Sequence, residues 1–101
     1  MEVNKEQIEA WKREHGTVFR YTATKEGSEP KVGYLKKITP QVMDAYESLI
    51  KKSKLMADDT VINSCWLGGD EEIVKNDDYR MGLRDWLGLL LVKIEGEMAE
   101  L

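Results

Sequence analysis

The sequence is poor in the side chains on which many enzymes and metal sites depend. It contains one cysteine, Cys65, and one histidine, His15. A single cysteine excludes an intrachain disulfide and fits a reducing compartment. The lone histidine stands beside Gly16 at a predicted helix end, where a cation would meet the helix dipole favourably. Neither residue has the neighbours that a zinc site or a nucleophile and its base require.

Long apolar runs and a basic charge excess are also missing. The longest apolar stretch, residues 89–92, is far shorter than the roughly 18 residues that favour a membrane span. Residues 1–12 are too charged for a secretory signal, so we expect a cytoplasmic protein without membrane contact. The 15 Lys and Arg against 19 Asp and Glu give a net charge of −4, which disfavours nucleic acid as a partner.

Length and composition indicate one folded domain over residues 1–101. A chain of 101 residues supports a single modest core, and 42% hydrophobic residues argue against disorder. Asn4 and Gln7 have the spacing of a capping box, and Gly16 is a natural stop, which predicts a leading helix within residues 1–16. Its apolar stripe is narrow, so we expect this helix to be loosely attached or to contact a partner.

A β-hairpin and three helices are predicted to follow. Residues 17–24 alternate two faces in the manner of a half-buried strand, and after a Gly-, Ser- and Pro-containing turn residues 31–38 resume with Val32, Tyr34, Leu35 and Ile38. Thr39 and Pro40 start the next helix, and Asp58 or Asp59 caps the one after it. A long last helix is predicted from Asp77 or Asp78 to the end, with an apolar stripe of Leu83, Trp86, Leu87, Leu90, Ile94, Met98 and Leu101. The fold class is therefore α+β, with a leading helix, a hairpin and three helices of which the last is long.

The chain is organised around an apolar helix end that meets a glycine pair and then a block of acid. We interpret Trp66, Gly68, Gly69 and Asp70 as a structural junction, in which the indole is buried and the glycines end the helix. The carboxylates then start the next helix, because the positive end of the helix dipole attracts them.

No catalytic, cofactor-binding or metal-binding constellation is recognisable. The carboxylates at residues 70–72 and 77–78 do not have the alternate spacing of a calcium loop. Phosphate-binding glycine loops, paired cysteines and a serine nucleophile elbow are absent from the sequence. We therefore expect a protein that is not an enzyme and uses no cofactor.

Apolar side chains beyond the predicted core indicate a protein partner instead. Leu89 and Leu91 widen the stripe of the last helix, and Trp11 stands on the narrow stripe of the first. We name these three residues as candidate partner-binding positions. The same surplus is compatible with a homo-oligomer.

One string also resembles a known family. Residues 63–72 read Asn-Ser-Cys-Trp-Leu-Gly-Gly-Asp-Glu-Glu, followed by Asp77-Asp78 and preceded by Gly-Tyr-Leu-Lys-Lys at residues 33–37 and by Thr39-Pro40. Over roughly residues 17–101 the chain resembles the small tail assembly chaperones of phages and prophages. The resemblance implies binding of hydrophobic segments of a tape measure protein in the cytoplasm of a bacterial host. The alternatives are a host interaction or regulatory module of another partner and, third, a small enzyme.

Overall fold

A computed structural model describes residues 3–92 and 94–101. Within these residues the chain forms five α-helices and a three-stranded antiparallel sheet, so the predicted α+β class is confirmed. The elements are, in order, α1 (Lys5–His15), β1 (Val18–Ala23), β2 (Lys31–Lys36), α2 (Pro40–Ile50), α3 (Lys54–Cys65), β3 (Trp66–Gly69), α4 (Glu72–Lys75), α5 (Asp77–Arg84) and a 3₁₀ turn (Leu87–Leu90).

The sheet has the order β1-β2-β3, so the predicted hairpin supplies one edge and the centre. The third strand was not predicted. It pairs with β2 through Gly69 opposite Gly33 and Gly68 opposite Tyr34, after which the register shifts. Leu35 then faces Trp66, which leaves Leu67 as the extra residue of a β-bulge.

Helices cover both faces of this sheet. Leu35 is almost fully buried on the face that packs against α3 and α5. The opposite face carries Tyr34, whose ring lies 5.8 Å from that of Trp11 in α1. Trp11 is itself buried, so α1 packs onto the sheet through this indole. The core between the sheet and the later helices consists of Ala23, Leu35, Val61, Ile62, Cys65, Ile73, Tyr79, Leu83, Leu87 and Leu90.

Most helix starts follow the capping residues of the sequence. The Asn4 side chain accepts a hydrogen bond from the Gln7 N–H at 2.8 Å, and Thr39 caps α2. The prediction that Asp58 or Asp59 caps the third helix is wrong. Ser53 caps it instead, since its hydroxyl accepts from the Met56 N–H at 3.2 Å and the helix begins at Lys54. Both aspartates lie inside α3, where they pair with basic side chains.

The predicted long C-terminal helix is wrong. The last α-helix ends at Arg84, and the chain turns so that Leu87 and Leu90 enter the core. The Leu90 carbonyl then accepts a hydrogen bond from the Ile38 N–H at 2.8 Å, which fixes the turn beside the end of β2. Residues 94–101 have no regular secondary structure.

That change of direction also divides the predicted apolar stripe. Leu83, Leu87 and Leu90 are buried as expected, whereas the remaining members are exposed and their assignment to the core is wrong. Trp86 is 55% exposed, and the three residues beyond the turn, Ile94, Met98 and Leu101, are essentially fully exposed.

Candidate functional site

A groove of about 620 Å³ runs along the outer edge of β1. One wall consists of the consecutive residues 20–25, and the other consists of α5 and the 3₁₀ turn, through Asp78, Tyr79, Gly82, Trp86 and Leu89. Successive side chains of a strand point to opposite faces of the sheet. A groove lined by six consecutive residues therefore follows the strand edge itself, and we call it the edge groove.

The backbone along this edge has no partner in the part of the chain that the structure describes. The strand pairs only with β2, and no backbone hydrogen bond beyond the sheet engages residues 18–24. In an antiparallel pair, alternate residues of an edge strand direct their N–H and C=O groups away from the partner. The edge groove thus presents donors and acceptors that an added strand would satisfy.

The opposite wall of the groove is apolar and open to solvent. Trp86 is 55% exposed and Leu89 is 62% exposed, and both also border a smaller cleft of about 90 Å³ beside Phe19 and Leu35. The Tyr21 side chain of the β1 wall reaches α5, since its hydroxyl oxygen would lie 3.1 Å from a Cβ on Gly82. Burial, with a smaller contribution from Asp85, raises the pKa of this hydroxyl. The phenol therefore remains a neutral hydrogen-bond donor.

Basic side chains flank the same edge. Arg20 and Lys25 line the groove, and neither forms an ion pair with another described residue. Asp78 is the one acid among the lining residues. An extended segment with apolar and acidic side chains would suit this combination.

The three predicted partner-binding residues lie in different places. Leu89 lines the edge groove, whereas the half-buried Leu91 borders a separate cavity of about 220 Å³ beside Met43 and Tyr46. Trp11 is on the far face of the sheet and is only 9% exposed. The structure therefore does not bring them together. The sequence did not identify Trp86 and β1 as residues that line a groove. The hairpin pattern predicts β1 as a strand, and an outer strand of a hairpin has an open edge.

The predicted junction is a strand rather than a helix end at the glycines. The helix stops at Cys65, and residues 66–69 pair with β2, so the expected helix boundary is wrong. Glycine is required in this strand and in β2 because two indole rings occupy the space that a side chain would fill. A Cβ on Gly33 would overlap the Trp66 ring, and one on Gly68 would lie 3.1 Å from Cη2 of Trp11.

Asp70 follows this strand and helps to start α4. Its Oδ1 accepts a hydrogen bond from the Glu72 N–H at 3.0 Å, and its Oδ2 lies 3.5 Å from Nζ of Lys31. Asn76 caps α5 in the same way, since its side chain accepts from the N–H groups of Asp78 and Tyr79. Both acidic clusters therefore lie at helix starts, where the dipole favours them.

A charge cluster holds α5, which forms part of one wall of the edge groove, against α3. Oδ1 of Asp59 accepts from Nε of Arg80 at 3.1 Å and from Nη2 of Arg84 at 2.7 Å. The two arginine side chains are only 16% and 12% exposed. Asp58 is buried nearby, with Oδ2 at 2.8 Å from Nζ of Lys54. Both arginines donate to the same carboxylate oxygen, and a planar guanidinium holds its donors in fixed directions, so the cluster fixes geometry as well as charge.

Cys65 lies in the core, and we expect its thiol to be inert in the native protein. The residue is fully buried, and burial raises the pKa of its thiol, so little of the reactive thiolate forms at neutral pH. A thiol reagent should label the native chain slowly and the urea-unfolded chain at the rate of a free cysteine. Equal rates in both conditions would contradict this burial.

Two further classes of site can be addressed from the geometry. No group of three or more His, Cys, Asp and Glu among residues 3–92 and 94–101 is placed to hold a metal ion. No helix over the same residues combines the length and the apolar character that crossing a bilayer requires.

Comparisons with protein-family models, with curated proteins and with solved structures gave no match to this chain.

Proposed function

We propose that this chain is a non-enzymatic binding protein that holds an extended apolar segment of another protein in the edge groove. Its resemblance to phage and prophage tail assembly chaperones makes a tape measure protein in the bacterial cytoplasm the proposed partner. The observation that carries the binding role is the groove itself, in which the unpaired edge of β1 lies opposite the exposed Trp86 and Leu89.

Strand addition gives such a site affinity for a bound segment and tolerance of differences in the sequence of that segment. Main-chain hydrogen bonds to β1 do not depend on the sequence of the bound segment, and alternate side chains of that segment would contact the apolar wall. Long apolar segments of a partner aggregate when their edges and side chains stay exposed. A protein that covers one such segment at a time would keep the partner soluble until assembly.

Coexpression with a tape measure protein from the same phage or prophage tests this function. The wild-type chain should raise the soluble fraction of the long protein, and Leu89→Glu should abolish the gain because it places a charge in the edge groove. Met81→Glu is the matched control, since Met81 is 58% exposed on α5 and does not line the groove. Both substitutions are at exposed positions, where the cost to folding is within about 0.5 kcal/mol.

Two outcomes would contradict the proposal in different ways. If the tape measure protein is no more soluble with the wild-type chain than without it, that partner is wrong and a host interaction or regulatory module is favoured. If Met81→Glu and Leu89→Glu reduce solubility equally, the binding surface is not the edge groove.

A further inference from the structure

Residues 94–101 carry apolar side chains that the described chain leaves in solvent. Ile94 is 94% exposed and Met98 is 100% exposed. In an extended conformation one face would carry Ile94, Gly96, Met98 and Glu100, and the other would carry Glu95, Glu97, Ala99 and Leu101. Over residues 94–98 the segment therefore has an apolar side and an acidic side when it is read as a strand.

The edge groove has the same two sides. Tyr21 is on the face of β1 that packs towards the core, beside the exposed Trp86 and Leu89. Arg20 is on the other face and has no ion-pair partner within the described residues. A strand laid along β1 with Ile94 and Met98 towards the apolar wall would direct its two glutamates to the face that carries the arginine.

We propose that residues 94–101 of a second copy of this chain add to β1 as a fourth strand in the edge groove. The inference deepens the proposed function, on which it rests for the identity of the site, by naming a competitor for it. A homodimer formed in this way would occupy the groove until a segment of the partner displaces the terminal strand.

Several observations favour a second copy as the occupant. Every residue from Ile94 to Leu101 is exposed in the single chain, so these residues make no stable contact with their own groove. Reciprocal exchange between two copies would bury both terminal strands and satisfy both β1 edges at once. Such an exchange has two-fold symmetry and closes on itself, as most soluble homo-oligomers do.

Sedimentation of the full chain over a micromolar to millimolar range tests the proposal. The wild type should show a concentration-dependent dimer, and the double variant Ile94→Asp, Met98→Asp should weaken it by about tenfold for each side chain. Leu101→Asp is the matched control, because Leu101 is equally exposed but would lie on the acidic side of the strand. A wild type that stays monomeric, or a Leu101→Asp variant as weak as the double variant, would overturn the proposal.

A labelled peptide of residues 94–101 identifies the groove as the binding site. It should bind the Ile94→Asp, Met98→Asp variant, whose groove is intact, and should bind at least about tenfold more weakly once Leu89→Glu is added. Raising the ionic strength should also weaken binding, since the contact with Arg20 is exposed and screened by salt. Equal peptide binding with and without Leu89→Glu would overturn the assignment.

The failure of this inference can be distinguished from the failure of the proposed function. If the wild type keeps the tape measure protein soluble but never dimerises, the inference about the terminal strand is wrong and the proposed function stands. If the wild type dimerises through the groove but has no effect on the tape measure protein, the proposed partner is wrong and the inference about the dimer stands.

Discussion

Gly69→Ala should lower the free energy of unfolding by about 4 kcal/mol, which is a large share of the stability of a small domain. Two effects add at this position. Gly69 has a φ of +124°, where a side chain is strained, and an added Cβ would lie 2.5 Å from the Val32 carbonyl oxygen. The obstructing atom belongs to the backbone of β2 and cannot rotate away. Urea denaturation followed by circular dichroism measures the loss.

Two other glycines separate the strain of a positive φ from the steric overlap. Gly27 has a φ of +80° with open space around it, so Gly27→Ala should cost roughly 1–2 kcal/mol from the backbone alone. Gly88 has open space and no positive φ, and Gly88→Ala should be close to neutral. If Gly69→Ala is no more costly than Gly27→Ala, the close pairing of β3 with β2 is incorrect.

Asp59→Ala should cost about 3 kcal/mol, because it removes the shared acceptor of two largely buried arginines. Arg80 keeps the Val74 carbonyl and Asn63 as acceptors, and Arg84 keeps the Leu55 carbonyl. Nε of Arg84 is already buried without a partner among the described residues, so the variant would leave this guanidinium still less satisfied. The expected cost is at the lower end for a broken buried pair, since the carboxylate is 37% exposed.

Asp44→Ala is the control for this substitution. Asp44 is exposed on α2 and its side chain forms no ion pair with the described residues, so the change should stay within about 0.5 kcal/mol. Chemical denaturation of both variants at neutral pH makes the comparison. A cost below about 1 kcal/mol for Asp59→Ala would mean that hydrophobic packing alone holds α5 on α3.

The sequence predicts those elements whose signals are local. Asn4 and Gly16 bound α1, Thr39 and Pro40 begin α2, and β-branched and aromatic residues on either side of a turn identify the hairpin. The third strand could not be predicted in this way, because Trp-Leu-Gly-Gly has no alternation and glycine is depleted in strands. Gly68 is explained only when the indole of Trp11 is placed over the sheet, and Gly69 only when β3 lies against the Val32 backbone.

The candidate site was predictable only in part. The surplus of leucines near the end of the chain indicated exposed apolar surface, and Leu89 does line the groove, although its role in binding stays a prediction. Trp86 was assigned to the core by helical periodicity, which presumed that the helix continued past Arg84. The turn after that residue depends on a long-range hydrogen bond between Ile38 and Leu90, and periodicity carries no information about such contacts.

The bulge at Leu67 affects how far the sheet can grow. At four residues β3 is a short strand, it contains two glycines, and the bulge twists its outer side, all of which make it a poor template for another chain. Growth is therefore confined to the β1 side, so edge-to-edge pairing between folded copies stops at two chains. The fold can thus offer one bare edge for recognition without acting as a seed for open-ended fibrils.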